Sequence, residues 1–208
     1  MEKTADREKE WHNRRFANGG DERATSKVRF AYFACTHAQE AFEKLQKASG
    51  KRVLDIGCGR GIGRARQFTS QGCTYTGVDI SDECIAANIS DCKRSGLSAS
   101  FLCDDANTLS KLKGEKYDLI ILSGTLHHLE LDKALPTLVE ITERNGKVIM
   151  WEPMGTNPAF NLFRMLTPRI RTPDEHPLNF SDLKEIKRFF PGSTFSFHAL
   201  TALAAVPL

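Results

Sequence analysis

The residues able to do chemistry fall in four short segments, each at the end of an apolar run. The first is Val53-Leu54-Asp55-Ile56-Gly57-Cys58-Gly59-Arg60-Gly61, where an acid is followed by three alternate glycines. Glycine lets a backbone take positive φ and approach a ligand closely. In open α/β sheets, ligands sit at the carboxyl ends of strands. The second is Gly77-Val78-Asp79-Ile80, about twenty residues further on. A carboxylate there can accept hydrogen bonds from both hydroxyls of a ribose; its other role is a helix-start acid favoured by the macrodipole. The third is Cys103-Asp104-Asp105-Ala106. One of these carboxylates can accept from an adenine amino group or cap a following helix. Asp105 is the choice for adenine and Asp104 the alternate. The fourth is Ser123-Gly124-Thr125-Leu126-His127-His128-Leu129. Histidine can act as a general base near neutral pH, although a histidine beside a pocket also serves as a hydrogen-bonded structural group.

The glycine turn discriminates between ligands. A dinucleotide turn needs a third glycine three residues after the second. Here Gly57 and Gly59 lead to Ile62, and Gly59 and Gly61 lead to Arg64. Asp55 sits where a turn facing a pyrophosphate prefers an apolar residue. S-adenosylmethionine (SAM) carries a sulfonium and an ammonium instead, so an acid is welcome.

Strands and helices must hold these segments in place. Strands are expected over residues 52–56, 74–80, 99–103, 117–122 and 147–152. Helices are expected over 62–70, over 82–95 with Ser81 as N-cap, over 105–112, and over 132–143 with Asp132 as cap and Pro136 in the first turn. The alternation predicts an α/β fold: a Rossmann-like, doubly wound, mostly parallel sheet with helices on both faces. Residues 1–49 form an N-terminal lead-in and a helix that covers the pocket. Within them, 1–23 reads as flexible or a short helix. Over 24–48, Ala31, Ala34, Cys35, Ala38, Ala41, Phe42 and Leu45 mark one helical face, with Gly50 as the stop. Residues 50–208 form the core. Its segment 154–177, bounded and broken by prolines, reads as a lid. The lid carries Arg164, Arg169 and Arg171, suited to an anionic group or simply to a solvated loop, and His176 for proton transfer. A helix over 181–189 and a sixth strand over 193–200 close the chain.

Composition narrows the classes. At 208 residues and 40% hydrophobic, the chain fits one domain with one core. A net charge of +3 with scattered basic residues argues against nucleic acid. Six cysteines form no C-x-x-C pair, so no metal site is expected and reduced thiols in the cytoplasm are the simplest reading. The charged first residues lack an apolar leader, and no apolar run is long enough to span a membrane.

Together these segments resemble the class I SAM-dependent methyltransferases, most closely the group around the ubiquinone/menaquinone-biosynthesis and other small-molecule methyltransferases. The glycine motif of that group matches Asp55 to Gly61, its acidic ribose position Asp79, its adenine motif Asp105-Ala106, and its His-His-Leu His127-His128-Leu129. The segment from Trp151 to Pro177 also resembles a bacterial subgroup of small-molecule methyltransferases. The resemblance implies a sheet in the order 3-2-1-4-5-7-6 with strand seven antiparallel. Only six strands are counted here, so a seventh is expected to be missing. The expected function is methyl transfer from SAM to a small-molecule acceptor at oxygen, nitrogen or carbon. A SAM-binding, non-catalytic partner subunit and a dinucleotide oxidoreductase are the alternatives. The expected cofactor-binding residues are Asp55, Gly57, Cys58, Gly59, Gly61, Asp79, Ile80, Asp104, Asp105, Ala106 and Ser123; His127, His128 and His176 are the catalytic candidates.

SAM and S-adenosylhomocysteine should therefore bind with comparable affinity in calorimetric titration, and NAD should not bind. Tight NAD binding without SAM binding would overturn this reading.

Overall fold

Near-continuous apolar runs in the central strands dictate a sheet covered on both faces. The computed structural model describes residues 4–17, 48–156, 161, 165 and 175–198. Strands β1 (Arg52–Ile56), β2 (Thr74–Asp79), β3 (Ser100–Cys103), β4 (Tyr117–Ser123) and β5 (Thr142–Trp151) pair in the order β3-β2-β1-β4-β5, every pair parallel. Parallel strands need crossover connections. Helices α2 (Ile62–Thr69), α3 (Asp82–Ser95) and α4 (Leu131–Ile141) follow β1, β2 and β4. Helices α1 (Thr4–Ala17) and α5 (Phe180–Phe189) flank this unit in the chain.

Residue parity assigns the faces. Leu54, Ile56, Ile120 and Leu122 pack with Leu135 and Leu138 of α4 and Ile186 of α5. Val53, Leu119 and Ile121 pack with Tyr75, Phe68 of α2 and Ile85 of α3. Each such buried side chain contributes about 1.5–3 kcal/mol, so this two-sided burial holds the layers together. The same parity puts Asp55 on the face of Val53, and Asp79 on the face of Tyr75. Both carboxylates turn towards the α2–α3 layer.

Residues 4–17 form a 14-residue helix, which agrees with the second of the two readings of 1–23. Several other elements differ from the sequence expectations. The helix expected over 24–48 lies outside the described residues, apart from the buried Ala48. Residues 105–112 form no α-helix. A turn leads to one 3-10 turn at Ser110–Leu112, entered through Leu109 at φ 41°. Asp104 accepts from the amides of Asp105 and Lys111, and Asp105 accepts from the amide of Asn107, so the backbone is drawn out of helix. Helix α4 starts one residue early, with Glu130 at the N-cap and Asp132 in the first turn. Pro136 therefore lies beyond the first turn and removes one helical hydrogen bond. The buried face of Ala134, Leu135, Leu138 and Ile141 offsets that loss. Helix α4 runs directly into β5, which begins at Thr142. Thr142 faces Tyr117 and Lys147 faces Leu119, so the intervening residues bulge. Residues 193–198 pair with no strand, which leaves five strands among the described residues.

The turn after β1 is the tightest joint. Gly57 has φ +70°, and a Cβ there would collide with the Thr125 side chain after β4. Gly63 has open space around its Cβ direction. Gly57→Ala should destabilise the fold by about 1–3 kcal/mol in denaturant unfolding, while Gly63→Ala should be neutral or stabilising. Equal stability of the two variants would show that the turn is not constrained in this way.

Candidate functional site

The carboxyl ends of β1, β2, β3 and β4 lie side by side, and each ends in polar residues. The turn after β1 is sewn to β2. The amides of Gly57 and Cys58 both donate to Val78 O, at 2.8 and 3.0 Å. The Gly59 amide donates to Asp79 Oδ2 at 2.8 Å, and the Ser81 amide donates to Asp79 Oδ1 at 2.9 Å. Burial raises the Asp79 pKa above the usual carboxylate range, although these two amides pull it down. Asn88, fully buried on α3, donates from Nδ2 to Gly59 O at 2.7 Å. Thr125 Oγ1 donates to Ile56 O at 3.1 Å and ties the β4 turn to the end of β1.

Beneath this turn lies Asp55, with no exposed surface. Arg64 of α2 places Nη1 2.7 and 2.9 Å from its two oxygens, and the Tyr75 hydroxyl donates to Oδ2. Burial pushes the Tyr75 pKa well up, and the adjacent Asp55 charge adds to that shift. Cys58 is also buried, and burial followed by the charges of Asp55 and Asp79 raises its thiol pKa, which keeps it protonated and unreactive.

At the β3 end, the two acids divide their work. Asp104 uses both oxygens on the following turn: Oδ1 accepts from the Asp105 amide and Ser110 Oγ, and Oδ2 accepts from the Lys111 amide. Asp105 uses Oδ1 alone, for the amide and Nδ2 of Asn107 at 2.9 and 3.0 Å. Its second oxygen has no donor among the described residues.

At the β4 end, Glu152 gathers the turn. Its Oε1 accepts from the amides of Thr125 and Leu126 at 3.0 and 2.9 Å, and its Oε2 lies 2.7 Å from His127 Nδ1. The other His127 nitrogen lies 3.5 Å from Glu175 Oε1. Burial alone would lower the His127 pKa, but hydrogen bonds to Glu152 and Glu175 outweigh it and raise the value. The His128 ring lies tilted against His127, with centroids 4.1 Å apart and planes at 41°. The ends of the expected lid meet beside this cluster: Met154 bridges Leu178, and the His176 amide donates to His127 O. Helix α1 closes the same region. Asn13 bonds to Ser81 and Asp82, Lys9 pairs with Asp82, and Glu8 faces His128.

Residues 53–146 match the methyltransferase domain family. The chain is 27% identical over 125 residues to a ubiquinone biosynthesis O-methyltransferase of Coxiella burnetii, which covers 54% of this chain and 53% of that protein. The chain thus spans about half the length of the curated relatives it matches. Two solved structures share the fold. Magnesium protoporphyrin IX methyltransferase from Synechocystis, solved with bound SAM, gives a TM-score of 0.62 at 16% identity, covering 89% of this chain and 85% of that one. The YcgJ protein of Bacillus subtilis gives 0.61 at 21% identity, covering 74% and 67%. Residues 53–146 are thus similar to a methyltransferase domain, and the five-stranded parallel sheet shares the fold of these two structures.

The structure brings Gly57, Cys58, Gly59, Gly61, Asp79 and Ile80 to one edge, flanked by Asp104, Asp105 and Ala106 on one side and Ser123 on the other. Asp55 lies beneath that edge. Its buried carboxylate meets Arg64 and Tyr75, so it braces the turn from below. Asp104 commits both oxygens to the turn after β3, whereas Asp105 commits Oδ1 alone. His176 is 64% exposed at its side chain and pairs with Asp182 at the start of α5, so it does not join the other two histidines. Arg164, Arg169 and Arg171 lie outside the described residues. Sequence reasoning missed Glu152, Asn88 and Glu8. Glu152 carried a signal, an acid ending an apolar strand; Glu8 carried none, because it lies in a charged segment. No helix among the described residues is long and apolar enough to cross a membrane, and no cluster there could hold a metal ion.

The raised His127 pKa has a consequence for stability. Its contribution is complete below the ordinary imidazole value near 6.5 and is lost as pH rises through the higher folded value. The melting temperature should fall across that window, and His127→Gln should flatten the slope. An identical slope in the variant would place the titration elsewhere.

Proposed function

We propose that this chain is a SAM-dependent methyltransferase acting on a hydroxyl of a small molecule. The observation that carries the reading is the Asp79 carboxylate, fixed beside the glycine turn. Each oxygen accepts one protein hydrogen bond, while a carboxylate has about four acceptor positions. The two that remain suit the two hydroxyls of a ribose. Asp105 Oδ2 suits an adenine amino group. The turn through Gly57, Gly59 and Gly61 lies where the amino-acid portion would sit, with Cys58, Ile80, Ala106 and Ser123 along the same edge. The set offers acceptors rather than a phosphate cradle, which fits SAM and disfavours a dinucleotide.

Bound SAM supplies a methyl group whose sulfur–carbon bond breaks as a bond to the acceptor oxygen forms, leaving S-adenosylhomocysteine. The chain's own residues align the acceptor and exclude water. The acceptor's proton must leave as its oxygen attacks. His127 is unsuited to take it, since both ring nitrogens face carboxylates and the side chain is buried. His176 points elsewhere. His128, beside them at the β4 turn, takes the proton. An oxygen acceptor is supported by the name of the O-methyltransferase relatives. A cytoplasmic setting is supported by free cysteines, of which Cys58, Cys73, Cys84 and Cys92 are buried.

Asp79→Ala should weaken SAM binding by ~1.5–3 kcal/mol in calorimetry, roughly tenfold to a hundredfold. It should also lower the melting temperature, because Gly59 loses its acceptor. A stable variant with unchanged affinity would remove Asp79 from the ligand.

A further inference from the structure

We propose that Glu8 of α1 is a positioning residue that fixes the tautomer of His128; this rests on the reading that His128 takes the acceptor's proton. Glu8 is 5% exposed, an unusual state for a carboxylate on a highly charged helix. Its Oε2 lies 3.4 Å from His128 Nδ1 and 3.6 Å from His12 Nε2. The rings of His12 and His128 meet edge to face at 6.0 Å. A buried carboxylate beside one imidazole nitrogen favours the proton there, so the opposite nitrogen keeps its lone pair for the acceptor. The Glu8–His128 contact supplies that arrangement from a helix that belongs to no part of the matched domain.

The docking of α1 explains how Glu8 arrives. Lys9 Nζ lies 3.0 Å from Asp82, Asn13 Nδ2 donates to Asp82 at 2.6 Å, and Ser81 Oγ donates to Asn13 at 2.6 Å. Ser81 and Asp82 follow Asp79, the proposed ribose residue. One helix thus bridges the nucleoside edge and the proton-accepting edge. The titratable groups beside His128 include Glu8 and His12 from α1, and His127 with Glu152 and Glu175 behind it.

The test reads the His128 ring nitrogens by 15N NMR at about pH 8, above the ordinary imidazole value. Calorimetry with SAM runs alongside. In the intact chain the neutral ring should be the Nδ1–H tautomer. Glu8→Gln should switch it to the Nε2–H form while SAM affinity changes less than about threefold. Glu8→Asp should retain the Nδ1–H form. Asp82→Ala, which loosens α1 without touching Glu8, should shift the ring partway. A ring already in the Nε2–H form in the intact chain, or one unchanged by Glu8→Gln, overturns the proposal. Failure of the intact chain to bind SAM would instead overturn the methyltransferase reading, whatever the tautomer.

Discussion

The hydrogen bond from the Gly59 amide to Asp79 is the joint on which the site depends. It ties the turn after β1 to the end of β2. A buried carboxylate is tolerable only when donors surround it. Gly59 and Ser81 provide them, and the positive φ of Gly57 and Gly59 lets the turn fold back far enough to reach. The shape of the proposed cofactor site follows from satisfying one acid. Asp55 poses the same problem one layer lower, and there Arg64 and Tyr75 solve it within the protein.

Glu152 repeats the theme at the other side of the site. It accepts from two turn amides at 2.9–3.0 Å and holds His127 at 2.7 Å. His127 in turn faces Glu175, at the far end of the expected lid. The lid base, the β4 turn and the imidazole are thus joined by paired charges. Such pairs contribute little net stability once desolvation is counted, but breaking one leaves an uncompensated buried charge. They fix geometry, which is what a methyl-transfer site requires.

The sheet was legible because short apolar runs occupy Val53–Ile56 and Tyr117–Leu122, and because glycines and acids punctuate the strand ends. The sheet order β3-β2-β1-β4-β5 agrees with the resemblance as far as the described residues reach. The turn at 105–112 was misread as helix, because side-chain bonds from Asp104 and Asp105 compete with helical ones. The sixth strand expected over 193–200 is not formed in its described part. At the site, motif and position marked Asp79 and the glycines correctly as neighbours. They did not reveal the pairing of buried Asp55 with Arg64, which lies nine residues on and is brought back by the first turn of α2. Glu8 and Glu152 act through contacts distant in sequence, which no local pattern encodes.

The most direct measurement is a crystal structure with S-adenosylhomocysteine bound. The account expects both ribose hydroxyls within ordinary hydrogen-bond distance of Asp79, about 2.5–3.0 Å, the adenine amino group at Asp105, and the sulfur towards Ser123 and His128. A nucleoside bound away from Asp79, or with its sulfur turned from the β4 turn, would contradict it.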